Sequence, residues 1–214
     1  MAKRLLLTRS RHDIGNQYLY AYSEEILDDA ENLGWKADNV EDGRNRRPEI
    51  ESRLEKTKPD FVFFNGHGSD RSICGHLNET LVDVESAPLL SGKIVYARSC
   101  SALKVLGRAA VEKGCRAFIG YNGFFFVPSA NEFAAAPGKD PVAKPVLEVS
   151  NLVGKLILKG DSVGVAVDSA QRKASGLILK MLVSEEPYDG ATFRALYQNF
   201  ITLSFEGDPK ARVE

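Results

Sequence analysis

Two segments of the chain are the most informative about its architecture: Phe61-Val-Phe-Phe-Asn-Gly-His67-Gly68 and Lys93-Ile-Val-Tyr-Ala-Arg-Ser-Cys100. Each is an apolar run typical of a strand buried on both faces, and each ends on a reactive side chain. Neighbouring strands of a parallel sheet end at the same edge, so the sequence predicts that the His67 imidazole and the Cys100 thiol meet there. A histidine that takes the proton of a thiol produces a nucleophile able to attack an amide carbonyl.

Strand and helix patterns alternate on both sides of these segments. Strands are predicted at residues 5–8, 35–40, 60–65, 93–99, 115–121 and 200–205, and helices at 17–33, 48–56, 102–113, 146–158, 162–183 and 191–198. This order predicts an α/β fold with right-handed crossovers and a mostly parallel six-stranded sheet. Residues 69–91 are expected to form a polar connection and residues 127–145 a long mobile loop. No repeat or clean linker divides the chain, so one domain over residues 1–214 is expected.

The composition is that of an ordinary globular protein and argues against several functions. Hydrophobic residues make up 43% and charged residues 27% of the 214 residues, and the formal net charge of -1 gives no general attraction to nucleic acid or membranes. No stretch approaches the roughly 18 apolar residues of a membrane span, and the first apolar run is too short for a signal peptide. Three cysteines without paired spacing favour free thiols in a reducing compartment. We therefore expect a cytoplasmic protein.

Four short motifs follow one another along the chain. They are a strand ending in His67-Gly68, a strand ending in Ser99-Cys100, the segment Gly114-Cys-Arg-Ala-Phe-Ile-Gly120, and Phe205-Glu-Gly-Asp-Pro209. Their order and spacing resemble the caspase/gingipain-type cysteine peptidases of clan CD, which include CHAT-like and gingipain-like catalytic domains. The resemblance implies a caspase-like three-layer sandwich with helices on both faces of the sheet. It also implies a dyad of His67 as base and Cys100 as nucleophile, with the backbone N–H groups of Gly68 and Cys100 stabilising the oxyanion.

The other histidines and cysteines have weaker placements. His12 and His76 are competing bases, but neither ends a strongly apolar strand. Cys115 begins an apolar strand and fits a buried small hydrophobe. A metal pair of Cys74 and His76 is conceivable, yet it lacks the two further ligands that a structural zinc needs. No metal and no organic cofactor are therefore expected.

Arg98 suggests a substrate preference. Strand alternation puts Arg98 on the same face as Cys100, and the resemblance implies that the residue two before the nucleophile lines the pocket for the substrate side chain. A guanidinium there would pair bidentately with a carboxylate, which predicts cleavage after Asp or Glu. Arg9 or Arg11, in the turn after the first strand, could add a second cation. The alternative is that these arginines bind internal carboxylates such as Asp13.

The aromatic segment at residues 120–127 follows the fifth strand. Such a run is most often core or a cover of the sheet edge. The resemblance implies that this stretch borders the substrate cleft, where an extended peptide pairs with backbone groups, so Tyr121 and Asn122 are candidate cleft residues. The Gly-Asp-Pro sequence at 207–209 is interpreted as a turn.

Three classes of function follow from these patterns. The first is a cysteine endopeptidase that acts on a protein or peptide. The resemblance to CHAT-like domains implies that a partner, another domain or processing switches it on, in bacterial defence or programmed cell death. The second is a caspase-like scaffold or binding module without activity. The third is a nucleotide binder of Rossmann or flavodoxin type, although no Gly-x-Gly-x-x-Gly or Walker pattern is present.

Overall fold

Strands and helices occur in the predicted alternation. The computed structural model describes residues 2–185 and 188–214. The strands are β1 Arg4–Arg9, β2 Lys36–Glu41, β3 Phe61–Asn65, β4 Ser72–Cys74, β5 Thr80–Asp83, β6 Ile94–Arg98, β7 Ala117–Tyr121 and β8 Leu203–Gly207. The helices are α1 Ile14–Asn32, α2 Arg47–Lys56, α3 Arg108–Glu112, α4 Lys144–Lys159, α5 Val163–Val183 and α6 Gly190–Thr202.

Six strands form one sheet in the order β2-β1-β3-β6-β7-β8. All neighbours are parallel except β8, which runs antiparallel to β7. The mostly parallel six-stranded sheet predicted from the sequence is therefore confirmed. β3 and β6 lie at its centre, and every residue of both strands is buried. This burial explains why both strands are apolar on both faces.

Helices cover both faces of the sheet. Alternate residues of the central strands point to opposite faces, so Phe63 belongs to one apolar cluster and Val62 to the other. The Phe63 cluster includes side chains of α1, α4, α5 and α6, whereas the Val62 cluster includes side chains of α2 and α3. The result is the expected three-layer sandwich. Among the described helices, none has the length and apolar character needed to span a bilayer.

The connection at residues 69–91 contains structure that the sequence pattern did not reveal. β4 and β5 pair antiparallel as a two-stranded hairpin beside the main sheet. Ile73, Leu81 and Val82 are buried within an otherwise polar stretch and join the hairpin to the core. Strands this short carry too few apolar residues for alternation to be recognised. The hairpin packs against the end of β3 and so shapes the edge described below.

Three further boundaries differ from the sequence prediction. The helix expected at 102–113 begins with a π-helical turn at Leu103–Gly107 and continues as α3. The last strand begins only at Leu203, because α6 extends to Thr202. Residues 127–145 include short 3₁₀ turns at Asn131–Phe133 and Pro137–Lys139. Element ends are the least predictable part of a pattern, since capping and packing decide them.

The Gly-Asp-Pro sequence at 207–209 forms the expected turn. Gly207 has φ of 99°, a left-handed conformation that glycine adopts without strain. After the turn, the carbonyls of Pro209 and Ala211 accept hydrogen bonds of 2.9 Å from the first N–H groups of α5. The segment therefore caps α5 at the edge of the sheet opposite the strand ends that carry His67 and Cys100.

Candidate active site

The residues that directly follow β3 and β6 line one cavity. β3 and β6 pair in register with Asn65 opposite Arg98, and the Gly66 N–H donates to the Arg98 carbonyl at 3.4 Å. The chain therefore leaves both strands side by side. His67 and Cys100 both line a cavity of about 130 Å³ at this edge. Its full lining is Gly15, Asn16, Leu19, Gly66, His67, Ser99, Cys100, Phe125 and Val127.

Two glycines allow the segment that carries His67 to pack tightly. Gly66 has φ of 153°, and a Cβ there would lie 2.3 Å from the Cys74 carbonyl oxygen of the hairpin. A Cβ on Gly68 would lie 2.9 Å from Ser99 Cβ and 3.1 Å from the Cys100 carbonyl oxygen. Any side chain at either position would push the His67 segment away from its neighbours. Both glycines are thus required by close backbone approach at the site.

The His67 imidazole is held from one side by a carboxylate. Its Nε2 lies 2.9 Å from Asp13 Oδ2, and the histidine side chain is 53% exposed. A neutral imidazole that donates from Nε2 carries its lone pair on Nδ1. The Asp13 contact therefore fixes the tautomer in which Nδ1 can accept a proton. Within the described residues, no hydrogen bond joins His67 directly to Cys100.

Asp13 is positioned by the start of α1. It is the N-cap of that helix, and its Oδ1 accepts the Asn16 N–H at 2.8 Å. Burial alone would raise the pKa of Asp13, but hydrogen bonds from Asn16 and His67 outweigh it and hold the pKa below its ordinary value. The carboxylate is thus ionised and fixed where it can orient the imidazole. The sequence singled out Asp13 as a candidate substrate-binding residue and as a possible partner for arginines; the structure instead places it outside the cavity lining, in contact with His67.

Cys100 lies in a sharp turn between β6 and the next helix. Its side chain is half-buried, and its Sγ accepts the Phe125 N–H at 3.4 Å. Ser101 takes a left-handed φ of 57°, and its N–H donates to the Gly123 carbonyl at 2.8 Å. A non-glycine residue in this conformation costs roughly 1–2 kcal/mol and marks a constrained site. The turn holds the thiol above the end of the strand.

Two backbone donors near the thiol remain without a protein acceptor. The hydrogen bonds Ser69 N–H to Ser72 O and Cys74 N–H to His67 O lie on either side of Gly68 and leave its own N–H unused. Across the part of the chain that is described, the Gly68 and Cys100 N–H groups donate to no protein atom. Cys100 lines the cavity and Gly68 directly follows His67, which also lines it, so both unpaired N–H groups belong to the segments that form this edge.

The other two cysteines are chemically unsuited to the same role. Burial raises the pKa of the half-buried Cys74 thiol. Burial also raises the pKa of Cys115 to about 12, and its S–H donates to the Lys93 carbonyl at 3.3 Å. A thiol that resists ionisation is a poor nucleophile, and neither residue lines the cavity. Cys115 is the buried small hydrophobe expected from the sequence.

Arg98 lies in the core, which corrects the expectation that it contacts substrate. Its side chain is fully buried, and burial lowers its pKa to about 10. Its guanidinium donates to five neutral acceptors: Asn65 Oδ1, Ser150 Oγ, Asn151 Oδ1, Leu19 O and Ser23 Oγ. No N–H is left for a substrate carboxylate, and no internal carboxylate is among its partners. The guanidinium is adjacent to the cavity wall, because Leu19, whose carbonyl accepts from it at 3.4 Å, also lines the cavity.

Arg9 and Arg11 are also committed elsewhere. Arg9 is buried and pairs with Glu24 and with Glu41, whose Oε2 lies 3.1 Å away. Arg11 is exposed and pairs with Asp42. Neither arginine lines the cavity. The alternative that these arginines bind internal carboxylates is correct for both, although their partners are not the N-cap of α1.

Tyr121 and Asn122 do not line the cavity either. Tyr121 is 1% exposed, its hydroxyl lies 3.1 Å from that of Tyr96, and its ring packs 4.5 Å from that of Phe125. Asn122 is exposed outside the cavity. The residues of this segment that do line the cavity are Phe125 and Val127. An unbroken aromatic run gives no alternation by which to choose among its members.

All three histidines of the chain form one cluster. The His12 ring centroid lies 6.3 Å from that of His67 and 5.6 Å from that of His76. His12 Nε2 lies 3.2 Å from Asp13 Oδ2, and the His12 side chain is 7% exposed. His12, Asp13 and His67 form the group among the described residues with the spacing of metal ligands. The conceivable Cys74 and His76 pair is not part of that group.

No family model and no curated protein sequence matches the chain. Solved structures do. The Arg-specific cysteine proteinase gingipain R superposes with a TM-score of 0.65 and 13% identity, over 98% of this chain and 47% of that one. A complex of the Porphyromonas gingivalis RgpB pro- and mature domains gives 0.57 and 12%, over 97% and 47%. A structure described as a protease gives 0.50 and 12%, over 97% and 48%.

These likenesses establish the fold. At 12–13% identity, the chain has the α/β architecture of the gingipain cysteine proteinases, and it spans about half the length of those structures. Fold alone does not carry activity, because one fold hosts many functions. What the chain does must therefore be argued from the residues at the sheet edge.

Proposed function

We propose that the chain is a cysteine peptidase with Cys100 as nucleophile and His67 as base. The observation that carries the proposal is the placement of both side chains in one cavity at the end of two neighbouring parallel strands. The gingipain fold supports it, because those proteinases use cysteine chemistry on the same architecture. The free Gly68 and Cys100 N–H groups add the donors that amide hydrolysis needs.

The reaction can be written from these groups. Nδ1 of His67 takes the Sγ proton, and the thiolate attacks the substrate carbonyl carbon to form a tetrahedral oxyanion. The oxyanion accepts hydrogen bonds from the Gly68 and Cys100 N–H groups. The C–N bond then breaks, the amine leaves with the proton from the imidazolium, and a thioester remains. His67 next takes a proton from water, the hydroxide attacks the thioester, and the acid is released as Sγ is reprotonated.

Asp13 acts in this scheme as a positioning residue. Its contact with Nε2 holds the tautomer that leaves Nδ1 unprotonated, and its negative charge stabilises the imidazolium formed in the first step. Phe125 positions the thiol, since its N–H donates to Cys100 Sγ at 3.4 Å and its carbonyl oxygen lies 3.8 Å from the same sulfur.

A preference for Asp or Glu before the cut remains part of the proposal, by a different route than direct pairing. Arg98 carries a positive charge adjacent to the cavity wall and has no carboxylate among its partners. Its field in a low-dielectric interior favours an anionic substrate group at the cavity. Fluorogenic peptides that differ only at that position test this. Faster cleavage after Asp than after Leu is expected, and a preference for Arg, as gingipain R has, would contradict it.

Activation by a partner, a further domain or processing is also proposed. It is supported by the absence, among the described residues, of a hydrogen bond between His67 and Cys100, since activation could then act by bringing the two side chains of the shared cavity into contact. Three free cysteines suit a reducing compartment such as the cytoplasm.

The direct test is mass spectrometry of the products from a peptide library, with wild type and Cys100→Ala compared. Products from wild type alone are expected. Cys74→Ala is the matched control, because its thiol lies outside the cavity, and it should cleave like wild type. Products that persist with Cys100→Ala would contradict the proposal. A folded wild type that cleaves nothing under any condition would favour the scaffold alternative.

A further inference from the structure

The cluster of His12, Asp13 and His67 brings two imidazoles to one carboxylate oxygen, which also accepts the Asn16 side-chain amide at 2.8 Å. Two imidazole Nε2 atoms lie 2.9 Å and 3.2 Å from the same oxygen, Asp13 Oδ2. His12 is almost completely buried, and its Nδ1 has no hydrogen-bond partner. Because Nδ1 has no partner, no contact there fixes which nitrogen of His12 carries the proton, and Nε2 is free to present its lone pair.

The spacing of these atoms fits a tetrahedral metal. With bonds of about 2.0–2.1 Å to nitrogen and oxygen, two ligand atoms of a tetrahedral zinc lie about 3.3 Å apart. The observed Nε2 to Oδ2 distances are close to this value, and the three ligand atoms all lie within 4.8 Å of one another. Two histidines and one carboxylate, with a fourth position open to water, form a common zinc ligand set.

We propose that His12, Asp13 and His67 bind a divalent transition metal, with Zn²⁺ as the best match. The Oδ1 of Asn78 lies 3.4 Å from His12 Nε2 and adds a further oxygen beside the three ligands. Two imidazole ligands favour zinc and its neighbours over the hard cations Mg²⁺ and Ca²⁺, which prefer oxygen ligands. The three ligands come from the N-terminal end of α1 and from the segment after β3, so the site joins two elements.

Metal binding at this site would switch off the base. A metal on Nε2 of His67 takes the position of that proton, so the neutral imidazole carries its proton on Nδ1 instead. Nδ1 then donates rather than accepts, and it cannot take the proton of Cys100. No bond changes at the thiol. This effect on activity rests on the proposed function of His67, whereas the binding itself stands on the geometry alone.

The first test measures binding without any substrate. The purified chain is titrated with ZnCl₂ by calorimetry, and with CoCl₂ by visible absorption. One saturable equivalent is expected, with a tetrahedral Co²⁺ spectrum that lacks sulfur-to-metal charge transfer. Asp13→Asn and His67→Gln should each weaken zinc binding at least about tenfold, since loss of even an outer-shell partner costs 10–100-fold. Because His67 is exposed, its substitution leaves the core intact.

Two control variants make the result specific. His76→Gln, in the third histidine of the cluster, should change the dissociation constant less than about twofold, because His76 is not among the three ligands. Cys100→Ala should bind zinc as wild type does. Binding that is lost with Cys100→Ala, or that survives both Asp13→Asn and His67→Gln, would overturn the site.

Inhibition separates this inference from the proposed function. If wild type cleaves peptides, Zn²⁺ should inhibit it reversibly, and EDTA should restore the rate. His12→Gln should raise the inhibitory concentration at least about tenfold, with circular dichroism to check that the variant is folded. An inactive chain that still binds zinc through these ligands would refute the peptidase and leave the metal site standing. An active chain without zinc binding would do the reverse.

Discussion

Arg98 and His67 lie at the ends of neighbouring strands but differ in burial and in the partners of their side chains. Arg98 is fully buried, and its five hydrogen bonds all go to neutral groups of the surrounding elements. His67 is 53% exposed and is held through one nitrogen by Asp13. The sheet edge therefore has two layers. The buried layer around Arg98 joins α1 and α4 to the strands, and the exposed layer above it, which includes His67, can contact a ligand. Substitutions in the two layers should separate stability from activity.

The largest expected effect is on activity, from His67→Ala. Loss of the base should lower kcat/KM about 10³-fold, because general base catalysis contributes 10²–10⁴-fold. Thermal melting should change little, since the side chain is exposed and makes one hydrogen bond. His76→Ala is the matched control and should retain most activity. A large loss of melting temperature with His67→Ala would show that the two layers are not separate.

Arg98→Met should have the opposite signature. Removing the guanidinium leaves buried acceptors on Asn65, Ser23 and Asn151 without their donor, which should cost about 3 kcal/mol or more in free energy of unfolding. Urea denaturation measures this cost. A variant as stable as wild type would mean that the buried layer does not hold the edge together.

Asp13→Asn should produce a smaller, mixed effect. Asparagine still caps α1, but it carries no negative charge to orient His67 and stabilise its imidazolium. We therefore expect kcat to fall about 10–100-fold. The pKa of Asp13 is lowered in the folded chain, so its contribution to stability is present above its unfolded value of 3.8. That contribution is lost as pH falls through the lower folded pKa. Wild type and variant should therefore differ in stability near neutral pH and converge below about pH 4, as urea denaturation across pH would show.

The smallest effect should come from Gly68→Ala. The added methyl group would lie 2.9–3.1 Å from Ser99 and the Cys100 carbonyl, so it should displace the thiol turn and lower kcat about tenfold. Gly43→Ala is the matched control, because a Cβ there meets nothing within 4 Å. Equal activity of the two variants would show that the contact between the two segments does not matter.

The sequence predicted the strands that position the site better than the burial and contacts of its side chains. Two runs apolar on both faces can hardly be other than central strands, and parallel order then brings their ends together. Alternation also gave the correct face for Arg98, but not its depth, because burial and partners depend on where α1 and α4 pack. The role of Asp13 depends on the distance between a helix start and a strand end. That distance is set by tertiary packing, so neither segment indicates it in its own sequence.

The most direct test of the account is the rate at which Cys100 is alkylated by iodoacetamide, followed by mass spectrometry of each cysteine across pH. If His67 activates the thiol, Cys100 should react near neutral pH at least about tenfold faster than Cys74, whose thiol burial keeps protonated. His67→Ala should remove that advantage while the fold persists. A Cys100 rate that is the same in wild type and His67→Ala at every pH would contradict the account.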